Sequence, residues 1–300
     1  MFRFDYRRPE VVAEIGCNHL GQLEVAKELI ELARLSGVGH VKFQKRSVRE
    51  LLSPEQYAAP HPNPHHAYGE SYGEHRENLE LSVEQHAELK AHAEQHGLSY
   101  ATSVWDVTSA REIAGLRPDN IKVPSACNNN LDLLRTLRDE YDGEVHVSTG
   151  MTTADEERAV VELFEGTNQA RDRLVLYACT SGYPVPFEDV CLLELRRLYA
   201  LYGDRVQAIG FSGHHLGIAV DIAAYTLGAR WIERHFTKDR TWKGTDHAAS
   251  LEPTGLQKLQ RDLFATHKAL TNKPQPILEI EQAQRQKLKH QTDQPVAVTP

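Results

Sequence analysis

The hydrophobic pattern of the chain alternates between short apolar runs and longer segments with helical periodicity. Residues 11–15 form such a run, and in 22–36 Leu23, Ala26, Leu29, Ile30 and Ala33 recur at helical spacing. Short apolar runs that alternate with amphipathic segments are typical of parallel strands joined by helices. The predicted strands are 11–15, 40–43, 98–103, 121–123, 144–148, 174–179, 206–211 and 231–236. The predicted helices are 22–36, 82–96, 108–116, 131–140, one beginning at 153, 190–202, 218–227 and 253–270.

Eight strand–helix units predict an α/β fold of the (β/α)8 TIM-barrel class, forming a single domain over residues 1–275. A doubly wound open sheet is the alternative, but no Gly-x-Gly-x-x-Gly follows a predicted strand. Residues 45–81, rich in His, Pro, Tyr and Gly, are too long for an ordinary connection, which predicts a functional loop. Residues 276–300 are rich in Gln and Pro, and we expect a partly disordered C-terminal extension.

Composition narrows the classes of partner. The 300 residues carry a formal net charge of −8, which argues against nucleic acid or an anionic membrane as a partner. The first residues hold no apolar run, and no later segment approaches the length of a membrane span. Four cysteines without close spacing favour reduced thiols, so we expect a cytoplasmic protein.

Polar residues follow nearly every predicted strand. In a (β/α)8 barrel these positions surround the active site. A serine such as Ser148 has a structural alternative, since its hydroxyl can satisfy loop backbone groups. Lys42 and Lys122 are harder to explain in that way, because a lysine near the barrel mouth is costly to desolvate unless an anion pairs with it. The polar set includes Glu14, Asn18, His19, Lys42, Gln44, Thr102, Ser103, Asp106, Lys122, Ser125, Ser148, Thr180, Ser181, Tyr183, Ser212, His214, Glu233, His235, Asp246 and His247.

Two histidines occupy equivalent places at the ends of successive strands. His214 follows the seventh predicted strand and His235 lies at the end of the eighth. Either could be a core histidine that donates to a carbonyl. Their matched placement favours a metal site instead, because two imidazoles leave coordination positions for water and a substrate oxygen.

Ordered motifs over about residues 9–270 resemble the sialic acid (N-acetylneuraminate) synthase family. They are AEIGCNHLG at 13–21, VKFQK at 41–45, YGEH at 72–75, STGM at 148–151, CTSGYP at 179–184, GFSGH at 210–214, ERHFT at 233–237 and GTDHAASLEP at 244–253. Three segments, YGEH at 72–75, SGH at 212–214 and TWKG at 241–244, resemble the animal-type enzymes. Those enzymes take a 6-phosphorylated N-acylmannosamine, whereas many bacterial relatives take the free sugar.

The resemblance implies condensation of phosphoenolpyruvate (PEP) with the open-chain aldehyde of an N-acylhexosamine, giving a sialic-acid-like 2-keto-3-deoxy acid and phosphate. By motif, Glu14, His214 and His235 would be catalytic, and the two histidines would hold Mn²⁺, with Mg²⁺ or Co²⁺ as alternatives. The residues that would bind PEP are Lys122, Thr102, Ser125, Ser148, Ser181 and Ser212. The residues that would contact the sugar are Gln44, Lys42, Tyr183 and Asp246.

The chain departs from the family pattern in two ways. Cys127 stands where the family usually has Asp or Glu, and the C-terminal antifreeze-like domain is absent. In the family that domain reaches over the neighbouring barrel of a dimer. We therefore expect either a homodimer that holds its substrate without the domain or a separate antifreeze-like lid protein. Two other functions stay open: a synthase of Kdn- or Kdo-type acids from a non-acylated aldose, and a catalytically impaired barrel that serves as a partner subunit.

Overall fold

Eight parallel strands close into a barrel in which each strand pairs with its neighbour in sequence and the first pairs with the last. The computed structural model describes residues 6–290. The strands are β1 (Glu10–Gly16), β2 (His40–Lys45), β3 (Ser99–Val104), β4 (Asn120–Val123), β5 (Glu144–Ser148), β6 (Leu174–Cys179), β7 (Ala208–Gly213) and β8 (Trp231–His235). The predicted (β/α)8 architecture is confirmed.

Helices surround the barrel and bury one apolar face against it. In the first helix Ala26, Leu29, Ile30 and Ala33 are buried, at the spacing that predicted the helix. The α-helices are α1 (Leu23–Leu35), α2 (Val48–Leu51), α3 (Pro54–Ala58), α4 (Tyr72–Glu77), α5 (Val83–Gln95), α6 (Val107–Gly115), α7 (Leu131–Glu140), α8 (Ala154–Glu165), α9 (Ala170–Arg173), α10 (Glu194–Tyr202), α11 (Ala219–Thr226), α12 (Pro253–Ala269) and α13 (Glu279–Leu288). Short 3₁₀ turns lie at Pro64–His66, Phe187–Asp189 and His247–Ala249.

The long connection between β2 and α5 is structured. It contains α2, α3, a 3₁₀ turn and α4, and the Ser53 and Ser71 side chains begin α3 and α4 through capping boxes. It is also tied to the connection after β8, because the Tyr68 hydroxyl donates to the Lys243 carbonyl at 2.5 Å. Two loops from opposite ends of the sequence therefore meet above the carboxyl end of the barrel.

Strand alternation decides which side chains enter the barrel. In β2, Lys42 and Gln44 face the interior, whereas Val41 and Phe43 pack into the hydrophobic layer beneath the helices. Residues that pair across neighbouring strands face the same side, so Ser103 of β3, which pairs with Gln44, also faces the interior. At the carboxyl end of β2 the inward positions are thus polar and the outward ones apolar.

The predicted C-terminal extension contains a helix in its described part. α13 buries none of its residues against the barrel, and residues 291–300 lie outside the described part of the chain. The boundary at residue 275 and the disorder of the extension stay predictions. Across residues 6–290 no helix combines the length and the apolar character needed to cross a bilayer.

Candidate active site

A cavity of about 300 Å³ opens at the carboxyl ends of the barrel strands. Its wall combines cationic, anionic, hydroxyl and imidazole groups, a composition suited to a small polar ligand. The lining residues are Glu14, Lys42, Gln44, Ser103, Trp105, Lys122, Pro124, Ser125, Ala126, Ser148, Met151, Cys179, Ser181, Tyr183, Ser212, His214, Glu233 and His235.

One side of the cavity is built around Glu14, at the end of β1. Its carboxylate lies 2.5 Å from the Lys42 ammonium and accepts a hydrogen bond of 2.8 Å from the Gln44 amide. Lys42 also donates to the Ser103 hydroxyl at 2.7 Å. Glu14 and Lys42 are 2 % and 3 % exposed, so this pair meets in a desolvated setting. It gives the cavity a carboxylate and an ammonium in direct contact.

A second buried ion pair lies on the opposite strands. Lys122 on β4 donates to Glu233 on β8 at 2.6 Å, and Ser212 on β7 donates to the same carboxylate oxygen at 3.0 Å. Burial would raise the pKa of Glu233, but the Lys122 and Lys42 charges outweigh it and hold that pKa well below its usual range. Burial lowers the pKa of Lys122, and the Glu233 carboxylate opposes that shift.

The floor beneath Lys122 is aromatic. The Lys122 ammonium lies 4.0 Å from the centre of the Tyr177 ring, and the Tyr177 hydroxyl is 3.0 Å from His146 Nδ1. His146 is in turn 3.1 Å from Glu144. These three side chains fill the barrel below the cavity, and the Tyr177 ring holds the Lys122 ammonium by a cation–π interaction.

Two hydroxyls converge where Gly150 leaves room for them. The Gly150 amide donates to Ser125 Oγ at 3.0 Å. A Cβ atom on residue 150 would lie 2.6 Å from Ser181 Oγ and 2.7 Å from Ser125 Oγ. Ser148 also lines the cavity, and Asn128 donates to its carbonyl. Hydroxyls and a backbone amide grouped near a lysine can replace the hydration of an anion.

The two histidines at the ends of β7 and β8 face each other beside Tyr183. Their ring centres are 5.4 Å apart, and those of Tyr183 and His214 are 4.3 Å apart. His214 Nδ1 is 3.1 Å from the Thr180 carbonyl, which leaves Nε2 as the lone-pair nitrogen. Burial, then the neighbouring His235, lowers the pKa of His214 to about 3, so the imidazole is neutral, as a metal ligand must be.

The surroundings of His235 also suit a metal ligand. Its Nδ1 is buried without a hydrogen-bond partner among the described residues and lies 4.0 Å from Asp246 Oδ2. Two imidazoles, one fixed by a carbonyl and one with an uncommitted nitrogen near a carboxylate, fit a divalent ion.

Eleven of the thirteen residues predicted for the site line the cavity. Asp246 does not line it but approaches His235 from the adjoining crevice. Thr102 is not brought to the cavity at all: it pairs with the outward Phe43, and its hydroxyl donates to Tyr100 at 2.9 Å. Ser103 takes the inward position.

Sequence reasoning noted Ser103 and Glu233 at strand ends but gave neither a role. Each is related to a residue that was assigned to the site. Glu233 lies two residues before His235 on the same strand, and Ser103 pairs with Lys122 on the neighbouring strand. The period of two along a strand was the signal that could have found them.

A second space of about 200 Å³ shares Trp105 and Ala126 with the cavity wall and is also lined by Arg46 and Arg76. Cys127 lines this second space, where burial raises the pKa of its thiol to about 11. The position that usually carries an acid is therefore neutral here.

Comparison with known proteins identifies the relatives of this chain. The NeuB family model matches residues 29–275. Human N-acetylneuraminate-9-phosphate synthase is 36% identical over 278 residues, which cover 93% of this chain and 76% of the human protein. N,N'-diacetyllegionaminic acid synthase of Campylobacter jejuni is 33% identical, covering 87% of this chain and 77% of that protein. The crystal structure of N-acetylneuraminic acid synthetase from Leptospira borgpetersenii in complex with citrate superposes with a TM-score of 0.79 at 26% identity, covering 95% of this chain and 94% of that one. The chain belongs to the NeuB family.

Proposed function

We propose that the chain condenses PEP with the open-chain aldehyde of an N-acylhexosamine, giving a sialic-acid-like 2-keto-3-deoxy sugar acid and phosphate. The observation that carries the proposal is the convergence of two buried lysine–carboxylate pairs, five serine hydroxyls and two imidazoles in one space. The 9-phosphate and legionaminic acid synthases among its relatives support the same reaction class.

PEP lies on the side of Lys122 in this proposal. Its anionic groups are held by that ammonium and by hydroxyls, with Ser125 and Ser181 flanking the Gly150 amide. Ser148 and Ser212 complete the set. Hydrogen bonds to an anion contribute about 1.5–3 kcal/mol each, so several of them offset the loss of water around PEP.

The acceptor aldehyde lies between PEP and the two histidines. The enol carbon of PEP bonds to the aldehyde carbon, whose oxygen takes up a proton and becomes a hydroxyl. Water adds to the electron-deficient carbon, and phosphate leaves from the resulting tetrahedral centre with C–O cleavage. In this proposal Glu14 would accept the proton of that water, and Lys42, 2.5 Å from Glu14, would donate a proton to the nascent hydroxyl.

His214 and His235 would hold a divalent ion, Mn²⁺ first among the candidates and Mg²⁺ or Co²⁺ next. Such an ion would polarise the aldehyde oxygen as a Lewis acid. Tyr183 packs against both rings, with centres 4.3 and 5.8 Å away, and narrows the approach to them. Gln44 and Asp246 stand at the sugar end, the first through its contact with Glu14 and the second beside His235.

We further propose that the acceptor is phosphorylated. Within residues 6–290 the Arg76 guanidinium pairs with no carboxylate, and its hydrogen bonds go to the Tyr72 hydroxyl at 2.6 and 3.0 Å. Lys243 lines the crevice beside Asp246 together with Arg76. Arg76 also lines the neighbouring space that contains Cys127, whose thiol adds no negative charge. Among the described residues, Asp246 is the one carboxylate that lines the crevice with Arg76 and Lys243, so the two cations leave a net positive charge for a dianionic group.

The test is an acceptor comparison read by phosphate release and mass spectrometry of the product. Purified protein with Mn²⁺ is given PEP and N-acetylmannosamine, its 6-phosphate, or mannose. We expect turnover with the two N-acyl sugars and a lower KM for the phosphate. No phosphate release with any aldose would refute the proposed reaction, and a preference for mannose would favour the Kdn-type alternative.

Substitution of Arg76 separates the acceptor's phosphate from the rest of the reaction. Arg76→Met should raise the KM of the 6-phosphate at least tenfold and leave that of the free sugar unchanged, because only one acceptor carries the anion. Arg49→Met is the control on the same connection, since Arg49 already pairs with Glu77. Equal effects on both acceptors would contradict the assignment.

Cellular context belongs to the same proposal. The four cysteines are free thiols, in keeping with a cytoplasmic enzyme. Tyr183 lines the cavity and is 49 % exposed, and a cover over it would exclude water from the reaction. We propose that a second copy in a homodimer or a separate antifreeze-like lid protein supplies it; size-exclusion chromatography with light scattering distinguishes the two.

A further inference from the structure

A second group of metal-ligating side chains lies on the helices outside the barrel, and none of its residues lines the cavity. Glu31 projects from α1, and His92 and His96 follow one another at the C-terminal end of α5. A spacing of four residues places the two imidazoles on the same face of the chain, one turn apart. The helices α1 and α5 pack together, which brings the carboxylate to both rings.

The ligand atoms are close enough to share one ion. His92 Nε2 is 3.3 Å and His96 Nε2 is 3.9 Å from the same oxygen of Glu31, and all three ligand atoms lie within 4.8 Å of one another. Tetrahedral Zn²⁺ with ligands at about 2.0–2.1 Å sets neighbouring ligand atoms about 3.3–3.4 Å apart. The observed spacing needs only small side-chain rotations to reach that geometry.

The nitrogen at the centre of the group has an ion-pair contact but no hydrogen bond. His92 Nε2 is buried, and its 3.3 Å approach to Glu31 does not have hydrogen-bond geometry among the described residues. The two imidazole rings lie with centres 4.6 Å apart in an edge-to-face arrangement. Lys27 does not compete for Glu31, since its ammonium is taken by Glu24 and Glu88 at 3.1 and 2.6 Å.

We propose that Glu31, His92 and His96 bind one Zn²⁺-class ion, with water in the fourth position. Imidazole and carboxylate ligands suit Zn²⁺, Ni²⁺, Co²⁺ and Cu²⁺ better than Mg²⁺ or Ca²⁺. The ion fastens α1 to α5 on the outside of the barrel and takes no part in the condensation. This site is independent of the proposed function, because none of its residues lines the cavity.

The experiment is a titration of the metal-stripped full chain with Zn²⁺ by calorimetry, alongside thermal unfolding with and without Zn²⁺. The wild type should bind one more Zn²⁺ per chain than the His92→Ala/His96→Ala variant. Zn²⁺ should raise the melting temperature of the wild type more than that of the variant, since an ion that binds only the folded state stabilises it. His65→Ala, which removes an exposed histidine elsewhere, should behave like the wild type.

Two further measurements distinguish a metal site from a surface ion pair. Glu31→Gln, which retains the shape of the side chain, should weaken Zn²⁺ at this site at least tenfold. Mn²⁺-supported phosphate release should be unchanged in all three variants. The proposal is overturned if the double variant binds as many Zn²⁺ ions as the wild type. It is also overturned if Zn²⁺ gives both the same thermal shift, which would mark the group as a surface ion pair only.

Discussion

Gly150→Ala is the sharpest probe of the anion site because it moves two hydroxyls without removing either. The new Cβ would lie 2.6 Å from Ser181 Oγ and 2.7 Å from Ser125 Oγ, whereas ordinary van der Waals contact begins near 3.4 Å. Both oxygens must therefore retreat by roughly 0.7 Å, by rotation about χ1 or by a shift of their loops. The Cys179 carbonyl, 3.3 Å from the same Cβ, limits how far the backbone can yield.

The magnitude follows from those displacements. Each hydroxyl driven off its rotamer costs about 0.5–1.5 kcal/mol, which lowers stability by roughly 1–3 kcal/mol in total. Each hydrogen bond to an anion that is lost costs about 1.5–3 kcal/mol of binding. Since 1.4 kcal/mol is tenfold, the loss of one such bond raises the KM for PEP by about tenfold to a hundredfold. The KM for the acceptor should stay within about twofold.

The assay is phosphate release at varied PEP with saturating acceptor and Mn²⁺, together with thermal unfolding. Gly115→Ala is the matched control, because nothing lies within 4 Å of a Cβ atom at that position. A Gly150→Ala protein that is folded and shows a KM for PEP within twofold of wild type would refute the placement of Ser125 and Ser181 around PEP.

Three further predictions follow from the site and the core. His235→Ala should abolish turnover by losing the metal, and near wild-type activity without added metal would remove His235 from the metal site. Glu14→Gln should keep Mn²⁺ and PEP binding in calorimetry yet lose turnover, and equal activity would exclude Glu14 from the mechanism. Burial lowers the pKa of His86 to about 3, so unfolding takes up a proton from about pH 6.5 downward and stability falls as the pH falls. In urea unfolding between pH 5.5 and 4, His86→Gln should reduce that slope by about 1.4 kcal/mol per pH unit, and an unchanged slope would contradict the burial effect.

The barrel could be predicted from the sequence because each unit carries its own signal. Strands such as β6 are continuous apolar runs, and helices such as α1 show a single buried face. Both signals depend only on nearby residues, so they can be read without knowledge of the tertiary structure. The count of eight then leaves few arrangements other than a closed barrel.

Side-chain direction at the end of β3 could not be predicted in the same way. The sequence from Tyr100 to Val104 contains only residues that are tolerated on either face, so the strand shows no clear alternation. Its phase is fixed by pairing with β2, where Lys42 and Gln44 mark the interior. Thr102 was assigned to the site by its motif, whereas the pairing with β2 gives Ser103 the inward position, because register is a tertiary property.

The connection after β2 shows a different limit. Its helices are too short for periodicity, and hydrogen bonds at their first turns define them instead. The pairs Ser53–Gln56 and Ser71–Glu74 have capping-box spacing, which was visible in the sequence. The placement of Arg76 beside the cavity was not visible, because it depends on how α4 packs against the rest of the connection.

The closure of β1 against β8 links the chemistry to the order of folding. Glu14 pairs in register with His235, so the proposed catalytic carboxylate and metal ligand come together only when strands more than 200 residues apart have joined. Pairing over such a separation forms slowly, because the entropy of loop closure is lost before the contacts between the strands stabilise the pair. During synthesis Glu14 emerges long before its neighbour, and the nascent barrel is open along one seam. Enzymatic activity would therefore appear late in refolding, after most of the helices have formed, and would report that the barrel has closed.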